Sequence, residues 1–264
     1  MEDLKTIISR VEVLCHLQKY RHAEKLLRSV YGKHPEDYEV LSNLSLVLSE
    51  QGKIPEALKL SCKLVSLNPR DVYGLKLHAA NLIRNAESPL ALKILNGALH
   101  LNPADHEIWR IMAYVYLFPS RFRDINYKTA KKCAENALLL DPEDVHSRNY
   151  RALAMARLGQ QTEAIKFHQE TLKMSPDNSE VHAFAGFLEI EKENLDKAKD
   201  HFKSSLTIFP DNTWAKKGLK ETRTRRLIIK YLPLILAIVG VQLVIGFKDE
   251  ITSLLDALAV WFMK

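Results

Sequence analysis

Cysteine, glycine and any broad excess of one charge are all scarce in this chain. Only three cysteines occur in 264 residues, Cys15, Cys62 and Cys133, and they are neither paired nor spaced as metal ligands. That pattern indicates neither a disulfide framework nor a zinc site, and the expected state of all three is reduced and structural. Nine glycines are few for this length, and the sequence has no glycine-rich phosphate loop, no HExxH and no nucleophile elbow. The ten histidines are scattered. His168, at an apolar place of its segment, reads as a packed or partly exposed residue rather than a ligand. The carboxylates Glu189, Glu191 and Glu193 read as a solvated face rather than an acid-base pair. No catalytic residue, metal ligand or cofactor is expected, and the chain is not read as an enzyme. The formal net charge is +6, which the block Lys216, Lys217, Lys220, Arg223, Arg225, Arg226 and Lys230 against Glu221 supplies by itself. The remainder is electrically balanced, so a basic nucleic-acid stripe is not indicated.

What the sequence does have is a rhythm of prolines. "KHPED", "LNPRD", "LNPAD", "LDPED", "MSPDN" and "IFPDN" place Pro35, Pro69, Pro103, Pro142, Pro176 and Pro210 at intervals of 34, 34, 39, 34 and 34 residues. Each follows an apolar periodic run, where proline stops a helix. Twelve residues before each proline stands an alanine: Ala23, Ala57, Ala91, Ala130, Ala164 and Ala198. The smallest helix former recurs where two helices would approach most closely. Eight residues before, the set is looser: Leu27, Ser61, Leu95, Ala134, His168 and Phe202. A fixed period of this size is the signature of stacked repeats. Gly52 and Gly159 fall between paired helices, where a left-handed cap favours glycine.

In "IWRIMAYVY", Trp109, Ala113 and Tyr116 have the spacing of the tetratricopeptide pattern. From Leu4 to Asn212 the chain resembles six tetratricopeptide repeats, 4–37, 38–71, 72–105, 106–144, 145–178 and 179–212. The resemblance implies an all-α, right-handed superhelix of six helix pairs. The fourth unit carries five extra residues in "FPSRFRDINYKTA", assigned to the turn between its helices. A basic capping helix is expected at 213–226, with Trp214 and Leu219 covering the last repeat.

The run "LIIKYLPLILAIVGVQLVIGF", residues 227–247, has Lys230 as its only charge. As a helix it would extend roughly 31 Å, against a hydrocarbon layer of about 30 Å. With the basic block before it, the run predicts a single membrane-spanning helix near the C-terminus, with the repeats facing the cytoplasm. Residues 248–264 follow helical spacing and are expected to form an amphipathic segment, either on the membrane interface or packed against protein.

The family resemblance also implies a peptide groove lined by the first helix of each pair. Carried over repeat by repeat, the ligand-binding residues are Tyr73, Lys76, Arg84, Arg110, Tyr114, Phe118, Asn149 and Arg157. The groove reads as basic and aromatic, suited to a protein or peptide partner with acidic residues. The expected function is a membrane-anchored interaction scaffold or adaptor, with lipid as a second partner through the C-terminal helix. Two alternatives stand beside it: a soluble helical oligomer that self-associates through the apolar tail, and a noncatalytic auxiliary subunit of an enzyme complex.

Overall fold

The structure, a computed structural model, describes residues 3–120 and 124–246, with side chains as far as residue 233. Among the described residues there are thirteen helices and no strand. The chain divides into two compact units, residues 1–175 and 176–264.

The first unit holds five helix pairs: α1 (Leu4–His16) with α2 (Tyr20–Tyr31), α3 (Tyr38–Glu50) with α4 (Ile54–Leu67), α5 (Val72–Arg84) with α6 (Ser88–Leu101), α7 (His106–Leu117) with α8 (Tyr127–Leu140), and α9 (Val145–Arg157) with α10 (Gln161–Met174). The second holds α11 (Ser179–Glu191), α12 (Leu195–Ile208) and α13 (Thr213–Gly246).

The proline rhythm explains both ends of each connection between pairs. Proline stops the even helix, and the Asp or Asn two residues later starts the next odd one. Asp71 Oδ2 accepts from the Gly74 N–H at 2.7 Å, Asp144 Oδ2 from Ser147 at 2.9 Å, and Asn178 Oδ1 from Glu180 at 2.9 Å. Such caps satisfy amide groups that a helix start leaves without partners.

Within a pair the turn is a different device. Gln18, Gly52, Ala86, Gly159 and Glu193 all have positive φ, between 54° and 89°. Each follows an odd helix, and the next amide bonds back to a carbonyl of the helix it leaves, as in Lys53 N–H to Leu48 O at 2.9 Å and Glu87 N–H to Leu82 O at 2.8 Å. This is the Schellman closure. Only two of the five positions are glycine, so the hydrogen-bonded turn imposes the left-handed conformation on three residues that disfavour it. The fourth pair has the long connection instead, and there Asn126 caps α8 through the Thr129 N–H at 3.0 Å. The inserted Arg121 and Arg123 lie outside the described residues.

All six periodic alanines are wholly buried. The first unit contains an apolar cluster centred on α1 to α4 and another on α5 to α8. A polar seam runs between them: Ser45 Oγ donates to the Ala57 carbonyl at 2.9 Å, Asn81 Nδ2 donates to Ser45 Oγ at 2.9 Å, and Ser61 Oγ lies 3.0 Å from His78 Nδ1. Ser45, Ser61 and Asn81 are fully buried, so these bonds offset the desolvation of groups that have no access to water.

The first two pairs are also tied by Glu24 on α2. Its carboxylate accepts from Lys53 Nζ at 2.7 Å on both oxygens, from Gln51 Nε2 at 2.9 Å and from Arg28 Nε at 2.9 Å. Burial by itself would raise this carboxyl, but the bonds from Lys53, Arg28 and Gln51 outweigh it and hold the group at about 2. A folded-state pKa below the unfolded value stabilises the fold above the unfolded value, and that contribution is lost as pH falls from about 4.5 towards about 2. Glu24→Gln is therefore expected to cost about 1–2 kcal/mol near neutral pH, discounted because Lys53 and Arg28 are well solvated. Thermal melts of both proteins across the acid range should show the difference shrinking to nothing. A gap that persists at the acid end would exclude the charge as its source.

In the second unit the first turns of α13 pack on α11 and α12. Trp214 packs tilted against Phe184 and edge-on against Phe187, with ring centroids 5.7 and 6.2 Å away, while Ala215 and Thr222 are buried. Phe202 on α12 is fully buried between the backbones of Gly186 on α11 and Gly218 on α13.

The C-terminal expectation requires correction. Among the described residues no helix is long and apolar enough to cross a membrane. The membrane localisation, the spanning helix at 227–247 and the lipid partner are withdrawn accordingly. The basic block and the start of the apolar run are not two elements but one uninterrupted helix, α13, with Pro233 inside it. Through residue 233 this helix presents a strongly charged surface beside exposed Leu227, Ile228 and Ile229. The side chains of 234–246, and all of the amphipathic segment 248–264, lie outside the described residues.

Candidate functional site

Within the first unit α1 packs on α3, α3 on α5, α5 on α7 and α7 on α9, whereas the even helices make no comparable approach to one another. The closer layer is the inner one of a curved stack, so the odd helices line the inner surface. All eight residues expected in a groove belong to these helices or, for Phe118, to the cap of α7.

The cations on this layer join one repeat to the next. Lys76 Nζ on α5 reaches Asp105 at 2.8 Å and Glu107 at 2.6 Å. The equivalent residue one repeat on, Arg110, reaches Asp144 at 3.2 Å and Glu107 at 2.9 Å. Asp105 and Asp144 are the caps of α7 and α9, so one carboxylate both starts a helix and anchors the preceding repeat. Burial opposes the charge on Lys76, yet its two carboxylate partners leave its pKa raised; Glu107 is lowered, first by its bond from Lys76. Asp144 is lowered in spite of its burial, through Ser147 and Arg110. Tyr38 follows the same scheme, its hydroxyl donating to the cap Asp71 at 2.6 Å. Arg84 looks the other way along the stack, to Ser49 O at 2.8 Å and Glu50 at 2.6 Å.

These contacts revise the basic groove. Lys76, Arg84 and Arg110 are on the inner layer but are already neutralised by carboxylates of neighbouring repeats. Asn149 is not on the groove surface at all: it is fully buried and its Oδ1 lies 2.9 Å from His168 Nε2. The reason is its size. Asn149 occupies the place equivalent to Lys76 and Arg110, and the shorter side chain turns inward to the second helix of its own pair. Arg157 donates to the Tyr127 hydroxyl at 3.3 Å and lies over that ring.

Two of the aromatic residues expected in a groove, Tyr114 and Phe118, come together in space. Tyr114 lies 5.3 Å from Phe118 and 5.9 Å from Tyr150 between ring centroids. All three are half-buried, while Tyr73 is 48% exposed. Burial raises the Tyr114 hydroxyl, and the Arg84 charge nearby works in the opposite direction. Tyr150 was not expected at this site. It follows Asn149 by one residue, and only the orientation of α9 in the stack turns it towards Tyr114.

The comparisons with known proteins agree with this fold. A family model described as ChAPs (Chs5p-Arf1p-binding proteins) matches residues 5–125, and the tetratricopeptide repeat model matches residues 118–179. The BBSome complex member BBS4 of Bos taurus is 28% identical over 170 residues, covering 64% of this chain and 31% of that protein. The anaphase-promoting complex subunit CDC16 of Saccharomyces cerevisiae is 29% identical over 158 residues, covering 58% of this chain and 18% of that one. The chain thus spans under a third of the length of these curated relatives. The crystal structure of a tetratricopeptide repeat protein from Parabacteroides merdae ATCC 43184 superposes with a TM-score of 0.53 at 18% identity, over 83% of this chain and 98% of that one. The fold is that of tetratricopeptide repeat proteins.

Proposed function

We propose that this chain is a noncatalytic interaction scaffold whose inner layer holds a peptide segment of a protein partner. The observation that carries this reading is the aromatic cluster Tyr114, Phe118 and Tyr150, with exposed Tyr73 on the same layer. Tyrosine and phenylalanine supply large contact area at low entropic cost, and a layer of rigid helices holds them in register. The names of two relatives, a BBSome complex member and an anaphase-promoting complex subunit, support a role as a component of a multiprotein assembly. The partition into six repeats, with residues 213–226 as a cap, belongs to the same proposal.

An acidic segment would bind here by exchanging with Asp105, Glu107 and Asp144 for the cations of the inner layer. Aromatic contact therefore dominates the recognition, and charge selects secondarily. The test compares proteins that co-purify with the full chain and with a Tyr73→Ala/Tyr114→Ala/Phe118→Ala variant, each quantified by mass spectrometry. At least one stoichiometric partner should fall about tenfold or more in the variant while the helical circular dichroism is kept. Retention of every partner at the wild-type amount would eliminate the inner layer as the binding surface.

A further inference from the structure

The basic block at the start of α13, which the interaction reading leaves unexplained, meets a second pair of cations on α12. Lys199 and Lys203 are one helical turn apart on α12, and Arg223 and Arg226 lie on one face of α13. Together with Leu219 and Thr222 they line a cleft of about 380 Å³ within the second unit. Among the described residues no carboxylate lines it. Arg226 is anchored at the rim by Asp196 and the Leu195 carbonyl. Glu221 is occupied by Arg225 at 3.0 Å. Among the described residues, the side chains of Lys199, Lys203 and Arg223 have no hydrogen-bond or ion-pair partner.

This arrangement differs from that of the inner layer, where Lys76, Arg84 and Arg110 are each matched by a carboxylate. In the cleft three cations without a partner among the described residues line one concavity beside Leu219 and Thr222. All three are exposed at the cleft surface and, as like charges lining one cleft, repel one another and add to its positive potential. An anion seated among them would relieve that repulsion. A single carboxylate would leave two charges over, whereas a phosphoryl group brings nearly two negative charges and three acceptor oxygens. The Arg223 fork can take two of those oxygens, with the lysines acting as point charges on the third.

We infer that the α12/α13 cleft is a binding site for a phosphoryl dianion, carried either on a small phosphate compound or on a phosphorylated peptide. This stands apart from the inner-layer reading, and either can fail without the other.

Calorimetric titration of the full chain at low salt tests it with inorganic pyrophosphate in one arm and a phosphoserine peptide in the other. The same peptide without phosphate is the reference. The triple variant Lys199→Gln/Lys203→Gln/Arg223→Gln should lose at least about tenfold in affinity for whichever probe binds. A charge-matched control, Lys25→Gln/Lys59→Gln/Lys166→Gln, changes exposed lysines of the first unit and should bind as the wild type does. Circular dichroism verifies that both variants are folded. Binding of pyrophosphate alone assigns the site to small phosphate compounds, and tighter binding of the phosphopeptide assigns it to a modified partner. The inference is overturned if neither probe binds, if the control loses as much as the triple variant, or if the unphosphorylated peptide binds equally well.

Discussion

Phe202→Ala should destabilise the second unit by about 3–5 kcal/mol, the cost of removing a buried aromatic ring that its surroundings cannot replace. Phe202 is fully buried, in edge contact with Phe187 at 5.1 Å between centroids, and enclosed by two glycines. A methyl group on Gly186 would come within 2.5 Å of Phe202 Cε1, and one on Gly218 would clash still harder with the same ring. Gly218→Ala is accordingly expected to cost about 1–3 kcal/mol or more by overpacking, although alanine is the better helix former. The two changes should not add. Once the ring is gone, the methyl group has room, so Gly218→Ala in the Phe202→Ala background should cost little. Amide hydrogen exchange across α11, α12 and α13 reads the effect in the unit concerned. Equal protection in Gly218→Ala and wild type would mean that α13 does not approach Phe202 as closely as described.

Ala91→Leu and Ala164→Leu should each lower stability by about 1–3 kcal/mol, because each forces three more carbons into a fully buried contact. Ala91 belongs to the same apolar cluster as Ala79, Leu82, Leu95 and Ile108, which have little or no exposed surface. Lys93→Ala, two residues along the same helix on its exposed side, should stay within about 0.5 kcal/mol. Urea unfolding of the full chain separates the two classes. In a repeat stack stability is a sum of local terms and interfaces between neighbours, so the alanine variants should also broaden the transition. If both alanine variants melted like the lysine variant, the alanines would no longer mark helix contacts.

Much of the fold was legible without coordinates because its signals are local and repeat. Proline cannot continue a helix and an aspartate two residues on can cap the next, whatever surrounds them. The alanine twelve residues before each proline is buried in every case, and so are the looser places that hold Ser61, His168 and Phe202. The left-handed turns were half visible: Gly52 and Gly159 announce them, whereas Gln18, Ala86 and Glu193 adopt the same conformation because the backbone bond across the turn demands it.

The inner layer was legible as a set of residue types but not as a surface. Lys76, Arg84 and Arg110 were expected to meet a ligand, but each has a carboxylate partner 29 to 34 residues away in the chain, brought near only when one pair stacks on the next. Asn149 turns inward instead, its Oδ1 lying 2.9 Å from His168 Nε2 on the second helix of its own pair. A hydropathy count over 227–247 likewise could not tell that its first residues continue a charged helix, since helix boundaries depend on bonds along the backbone and not on average apolarity. The sequence by itself determined the period, the helix stops and starts, and the close contacts of small residues, all of which act within one turn or one repeat. Tertiary structure alone decided which charges are spent between repeats and which stand unmatched in the α12/α13 cleft, because the energy of a charge depends on what lies within a few ångströms of it rather than on its neighbours in the chain.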